Sequence, residues 1–348
     1  MSMRILYGVQ ATGNGHLARA RALVPELRKA GMEIDFVFSG RPRQQLFNME
    51  VFGPDYRCLR GLTFVTEKGR LNPGKTLTRN RPAEFLRDVQ AMNLDAYDLV
   101  LTDFEPVTAW AARKQNKTSI AISHQSAFVH DVPKVPGNYA ARTLMSSFAP
   151  ATHQIGLHWH HFNQPVLPPL IESMTPTAAI PGKILVYMGF EALDEILHLL
   201  QPFACHRFVV YSQVAAPLQR GHIRVEPLSY EGFHRDLRDC SGVISNAGFE
   251  LASECIMLGK KLLVKPLHGQ YEQLCNARAL ELLQRGTVMH SMDRHQLQKW
   301  LQRPQPEAVP YPNIAGGLAR WLKQGDYHDT SQLLQMWQGT DERLQPAA

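Results

Sequence analysis

The sequence has no run of 18 or more apolar residues. Its start, Met1-Ser2-Met3-Arg4-Ile5-Leu6, enters a strand pattern rather than the apolar core of a signal peptide. A membrane-spanning helix and secretion are therefore not expected, and the chain reads as soluble and cytoplasmic. Paired cysteines are also missing. Cys58, Cys205, Cys240, Cys255 and Cys275 are odd in number, scattered and free of any Cys-x-x-Cys, which fits neither a disulfide framework nor a structural zinc site. Buried, inert thiols are the expectation. No Asp-x-Asp occurs to coordinate a divalent ion. The run His158-Trp159-His160-His161 has no acid or further ligand at metal spacing, so it reads as a segment leading into a linker, and neither metal nor other cofactor is expected.

At 348 residues and 44% hydrophobic content, the chain exceeds the size at which one core stops growing, so two domains with a cleft between them are expected. The net charge of +6 is uneven: residues 1 to 80 carry +7 and the remainder −1. Much of the excess lies between Arg57 and Arg87, including Arg60, Lys68, Arg70, Lys75, Arg79 and Arg81. Weak periodicity and the Asn72-Pro73-Gly74 punctuation suggest that this segment is mostly loop. It is either solvated charge or a surface for an anionic acceptor or anionic lipid headgroups. Nucleic acid is disfavoured, because aromatic residues do not interleave with the basic ones.

Strand and helix patterns alternate through the first half: Arg4 to Val9, a helix from His16 to Ala30, Glu33 to Phe38, Asp98 to Leu101, a helix through Ala109 to Lys114, and Ser119 to Ile122. Such alternation specifies an α/β fold with parallel sheets covered on both faces. Proline-rich sequence from Gln164 to Gly182 interrupts it. The alternation restarts at Lys183 to Met188 and runs through Tyr230 to Asp239, Gly242 to Ser245, Phe249 to Leu258, Lys261 to Lys265 and Glu272 to Arg285. The division expected is a Rossmann-like domain over 1–164, a linker over 165–182, a second Rossmann-like domain over 183–313 and a helical tail over 314–348.

The strand Gly242 to Ser245 leads into Asn246-Ala247-Gly248 and then a helix, ended by Gly259. A strand-turn-helix of this kind aims free N–H groups and the positive helix end at one point, an anion site that Gly248 leaves open to a diphosphate. Glu250 and Glu254, four apart, share a helix face, where a carboxylate can accept from the vicinal hydroxyls of a ribose. After the next strand, Glu272-Gln273-Leu274-Cys275-Asn276-Ala277 places acids and amides at a strand's carboxyl end, where open α/β sheets bind ligands. Lys265 and His268, in the same stretch, read as solvated.

The run from Gly242 to Gly286 resembles the donor-binding signature of GT-B glycosyltransferases of families 1 and 28, including the enzyme that adds N-acetylglucosamine to the lipid-linked peptidoglycan precursor. The chain as a whole most resembles bacterial and archaeal family-28-like glycosyltransferases. The resemblance implies two facing Rossmann-like domains and an inverting, metal-independent transfer of a hexose, N-acetylglucosamine or a relative, from a UDP-sugar. It implies a diphosphate contact at Asn246, eight positions before a ribose-binding Glu254, with Ser245, Ala247 and Gly248 in the same loop. It also implies that Glu272 and Gln273 grip the donor sugar. Asn246 stands where many relatives carry His or Arg. On the donor side Gly189, Gly13 and Gly15 are further candidates.

In the first half, Gln10-Ala11-Thr12-Gly13-Asn14-Gly15-His16 is a glycine-rich turn that puts His16 at the mouth of a helix. It lacks the third glycine of a dinucleotide fingerprint. An imidazole there can take a hydroxyl proton near neutral pH, its ordinary pKa being about 6.5. The turn resembles the first loop of families 1 and 28, in which this histidine is often the catalytic base and an aspartate its partner, here Asp103. Otherwise Asp103 caps the next helix, and Glu105 is the alternative for either role. The acceptor, lipid-linked or otherwise anionic, is expected among the loops of residues 40 to 95. Two other functions fit a nucleotide sugar held between two such halves: a UDP-sugar 2-epimerase, and a non-catalytic binding subunit.

Overall fold

The computed structural model describes residues 2–67, 69–137, 139–172, 174–338, 340 and 344. Lys68 of the basic segment and residues 339, 341–343 and 345–348 of the tail lie outside them. In chain order the elements begin β1 (Arg4–Gln10), α1 (Asn14–Lys29), β2 (Glu33–Ser39), β3 (Tyr56–Leu59), the hairpin β4 (Thr66–Glu67) and β5 (Arg70–Leu71), α2 (Pro73–Arg79) and α3 (Pro82–Ala91). They continue with β6 (Leu99–Asp103), α4 (Pro106–Lys114), β7 (Ser119–Ser123), α5 (Tyr139–Phe148), β8 (His153–Leu157) and β9 (Val166–Leu167). The second half holds β10 (Lys183–Tyr187), α6 (Leu193–Leu200), β11 (Arg207–Ser212), β12 (Leu218–Arg220), β13 (Ile223–Pro227), α7 (Tyr230–Asp239) and β14 (Gly242–Asn246). After these come α8 (Phe249–Met257), β15 (Lys261–Lys265), α9 (Tyr271–Leu282), β16 (Thr287–Val288), α10 (Arg294–Leu301), α11 (Ala315–Gln324) and α12 (Ser331–Leu334).

Two seven-stranded sheets result, ordered β3-β2-β1-β6-β7-β8-β9 and β12-β13-β11-β10-β14-β15-β16. The first is parallel throughout, and in the second only β12 runs antiparallel. Along β1 the side chains alternate between two cores: Ile5, Tyr7 and Val9 face Leu23 and Leu27 of α1, while Leu6 joins Val89 and Val107 on the other face. A strand buried on both faces reads as a continuous apolar run, which is why these strands were legible. Each sheet reverses its winding once, between β1 and β6 and between β10 and β14, and the loops after these strands are the crevices where such folds bind ligands.

Three expectations are corrected. The segment from Arg57 to Arg87 is mostly regular structure rather than loop: β3, the β4–β5 hairpin, α2 and α3. Asn72 caps α2, its side chain accepting from Lys75 N, with Pro73 at the first helical position, so the punctuation marked a helix start. Val166 and Leu167 are not linker but the edge strand of the first sheet. Of the cysteines, Cys240, Cys255 and Cys275 are buried, whereas Cys58 is half-buried and Cys205, in the turn between α6 and β11, is exposed.

Gly259 ends α8 at φ +63°, as the sequence required. The tail returns to the first half: Lys323 Nζ donates to Ala30 O at the end of α1, and Trp337 Nε1 donates to Val166 O at 2.7 Å. Among the described residues, no helix is long and apolar enough to cross a membrane.

Candidate active site

Glycines 13 and 248 lead into α1 and α8, and neither helix start has a side-chain cap, so their first N–H groups are free for a ligand. A Cβ built on either glycine would meet no heavy atom within 4 Å. The two helices touch. A Cβ on Gly15 would come to 3.0 Å from Cγ of Glu250, and Asn14 Nδ2 donates to Tyr187 Oη at 3.2 Å, so both glycine turns open onto one seam between the halves.

On the first-half side, Asp103 ends β6 in register with Val9 of β1. Its Oδ1 lies 2.7 Å from Nδ1 of His16; Asp103 is fully buried and the His16 side chain is 14% exposed. A carboxylate only accepts, so Nδ1 carries the proton and the lone pair is left on Nε2. Asp103 does not cap the next helix. Glu105 does: its carboxylate accepts from Val107 N at 2.9 Å, Thr108 N at 2.7 Å and Thr108 Oγ1 at 2.6 Å. Fully buried, Glu105 has its pKa pushed up by desolvation against the pull of those bonds, and it has no route to a substrate. Between the two acids Phe104 sits at φ +54°, a left-handed conformation rare for a bulky residue and typical of functional turns. Its ring lies parallel to the imidazole of His16, centroids 6.3 Å apart, and stacks on Phe148 at 4.7 Å.

Arg19, one turn along α1 from His16, is a residue that sequence reasoning missed. It is 2% exposed, yet its Nη1 donates to Asp103 Oδ1 at 2.8 Å and its Nε to Glu250 Oε1 at 2.8 Å. The His-x-x-Arg spacing on one helix face was the available signal. Burial pushes Glu250 up to about 7, with Arg19 pulling the other way.

In the second half, Asn246 ends β14 and its Nδ2 donates to Glu191 Oε1 at 3.2 Å and to Lys265 O at 3.1 Å. Ser245 Oγ and Asn246 Oδ1 are buried without a hydrogen-bond partner. The backbone of Ala247 is held by Asn276 Nδ2, 2.9 Å from its carbonyl. Gly189, after β10, lies against the ring of Tyr187. Glu254 is buried, 3.5 Å from Nε2 of His234. Burial pulls the His234 pKa down, but the bond and charge of Glu254 outweigh it, and the net shift is upward. Glu272 accepts from Gln125 Nε2 of the first half at 3.0 Å, whereas Gln273 turns its Oε1 to Leu267 N at 3.0 Å and shapes its own loop.

Lys265 is not simply solvated, whereas the His268 side chain is exposed, as expected. Lys265 Nζ lies 2.7 Å from Glu191 Oε1, its side chain only 12% exposed. His268 N donates to Gly69 O at the tip of the β4–β5 hairpin, and Gly69 N donates to Phe190 O, both at 2.9 Å, so a hairpin of the first half lies across this loop of the second. Gly69 is at φ +70° and any Cβ there would strike the Glu191 carboxylate. The histidine run is likewise more than a lead into the linker. Trp159 is fully buried, stacks on Phe249 of α8 and donates from Nε1 to Ser253 Oγ at 2.9 Å, while His124 stacks on the same Phe249, centroids 4.0 Å apart.

A cavity of about 460 Å3 opens beside Phe104, lined among others by Gln125, Phe128, Val129, Met145 and Tyr271. Its walls come from residues 104–154 and Tyr271 rather than from the loops of 40–95.

Residues 3–304 match the family model described as Glycosyl transferase family 1. No curated protein matches the chain. Among solved structures, the chain is similar to the glycosyltransferase SnogD from Streptomyces nogalater, at 15% identity and TM-score 0.56 over 94% of this chain and 96% of that one. It is similar to the Streptomyces sp. SF2575 glycosyltransferase SsfS6 complexed with thymidine diphosphate, at 15% identity and TM-score 0.54 over 92% and 99%. A third is the spinosyn rhamnosyltransferase SpnG complexed with spinosyn aglycone, at 14% identity and TM-score 0.55 over 93% and 96%. The fold is that of GT-B glycosyltransferases, two parallel-sheet halves facing across a cleft.

Proposed function

We propose that this chain, which belongs to glycosyl transferase family 1, moves a hexose from a UDP-sugar to an acceptor hydroxyl in one inverting displacement, with His16 as base and no metal ion. Family membership makes it a glycosyltransferase and sets aside both the epimerase and the non-catalytic subunit. The observation that carries the mechanism is the His16–Asp103 pair at the seam where two uncapped helix starts meet. His16 Nε2 takes the acceptor proton as the acceptor oxygen attacks the anomeric carbon. The bond from that carbon to the diphosphate oxygen breaks, its electron pair leaves on UDP, and Asp103 stabilises the imidazolium. The N–H groups of the first turn of α8 supply positive potential to the leaving diphosphate.

Two donors are chemically distinct at Glu254. UDP offers a vicinal diol on its ribose, and thymidine diphosphate, the ligand in the similar SsfS6 structure, lacks the 2′-hydroxyl. The buried carboxylate of Glu254 suits the diol, which favours UDP, with N-acetylglucosamine or a related hexose the first sugar to test. The acceptor belongs in the cavity beside Phe104, where Phe104, Phe128, Val129 and Met145 alternate with Gln125, Ser126, Thr143 and Gln154, a mixed wall that suits an acceptor with both apolar and polar parts, a lipid-linked one included. Exposed Leu86 among the basic Arg79, Arg81 and Arg87 favours transient attachment to an anionic membrane surface. Thermal-shift screening against UDP- and TDP-sugars is expected to single out a UDP-sugar, a ligand at 100 times its Kd stabilising by about 2.7 kcal/mol. Turnover with that donor should persist in EDTA, and loss in EDTA restored by manganese would contradict the metal-free step. Sedimentation with anionic but not neutral vesicles would support the membrane contact, and equal binding would remove it.

A further inference from the structure

Arg19 has no direct part in that displacement, yet it is the only described side chain that bonds both to the partner of the base and to the donor-side helix. Burying a guanidinium costs several kcal/mol unless it is fully paired. Here the pairing is divided between halves: Nη1 bonds Asp103 of β6, and Nε and Nη2 bond Glu250 of α8. Asp103 Oδ1 receives Arg19 and His16 together. Asp103 Oδ2 and Glu250 Oε2 are buried without partners, so the chain from His16 to Glu250 has no bypass through other hydrogen bonds.

We infer that Arg19 is a positioning residue that sets how tightly His16 holds a proton, and that Glu250 governs Arg19 through the contact between the halves. This rests on His16 being the base. With His16 neutral and Glu250 ionised, as it is above about pH 7, Asp103, Arg19 and Glu250 together carry one net negative charge, which favours the proton His16 receives. Take Glu250 away, as when the halves part, and the guanidinium answers to Asp103 alone. The proton on His16 then faces an uncompensated positive charge. Proton uptake is thereby tied to docking of the donor-side helix, and the acceptor is activated when the donor half is in place.

The other groups facing this cluster do not replace the link. Tyr7 on β1 is kept neutral by burial and by Asp103. His124, after β7, is pushed toward its neutral form by burial. Glu254, a turn further along α8, is a second carboxylate, bonded to His234. Phe104 presents only its ring to His16.

The test is the pH profile of kcat for the wild type, Glu250→Gln, Arg19→Met and Arg19→Lys, with circular dichroism to verify folding. Glu250→Gln removes the compensating negative charge that Glu250 carries above about pH 7, makes His16 less basic there and should move the ascending limb to lower pH by about one unit. Arg19→Met removes the positive charge and should move it to higher pH by a similar amount, with Arg19→Lys lying near wild type. Opposite shifts support the inference. Lower kcat with an unmoved limb in Glu250→Gln, or a change in donor KM alone, overturns it. If Arg19→Met does not fold, the Glu250→Gln limb decides by itself. A His16→Ala variant that keeps its turnover would instead overturn the proposed base, whatever the limbs do.

Discussion

Arg19 and Glu250, 231 residues apart in sequence, meet through two guanidinium nitrogens on one carboxylate oxygen, a buried ion pair between the two halves. Burial dominates the acid and pushes Glu250 up to about 7, above its ordinary value near 4.5. A carboxyl with a raised folded-state pKa adds stability below about pH 4.5, and that contribution is lost as pH rises through 7. The unfolding free energy of wild type relative to Glu250→Gln should therefore fall between pH 5 and pH 8, by on the order of 3 kcal/mol at 1.36 kcal/mol per unit. Urea unfolding of both proteins at the two pH values measures it. A difference that rises with pH would mean that Arg19 outweighs desolvation and holds Glu250 low.

Glu254 should matter to the donor and little else. Replacing it with Ala is expected to weaken UDP binding by about 1.5 to 3 kcal/mol, the range for hydrogen bonds to a charged group. TDP, with one ribose hydroxyl fewer, should lose less. Calorimetry with both nucleotides reads this directly, and unchanged UDP affinity would remove Glu254 from the donor site.

Glu105 offers a contrast within the same strand-to-helix turn. Its carboxylate is spent on capping α4, so Glu105→Ala should cost about 1 to 2 kcal/mol of stability, as helix caps do. The folded variant should keep its turnover within about twofold, far from the loss expected of a base. A 100-fold fall in kcat at unchanged stability would return Glu105 to the catalytic machinery.

Much of this was legible in the sequence because the signals were local. Buried parallel strands announce themselves as apolar runs, and the turns at Gly13 and Gly248 were fixed by what a helix start needs. The helix α2 was missed because Asn72-Pro73-Gly74 serves equally as a turn and as a cap followed by Pro at the first helical position. Arg19, Trp159 and Lys265 were missed for another reason. Each looks ordinary in its own segment, and each acquires its partner, Glu250, Ser253 or Glu191, only when distant strands are brought side by side. The cavity beside Phe104 was not legible, because its walls depend on how α5 and the turn after β7 fold against Phe104 and Tyr271.

The most direct test of the account is single-turnover and steady-state kinetics of His16→Ala beside calorimetric donor binding. With the base removed and the donor site in the other half, kcat should fall by about 100- to 10,000-fold while donor Kd stays near wild type. A variant that keeps its kcat and loses only donor or acceptor affinity would make His16 a binding residue and contradict the mechanism.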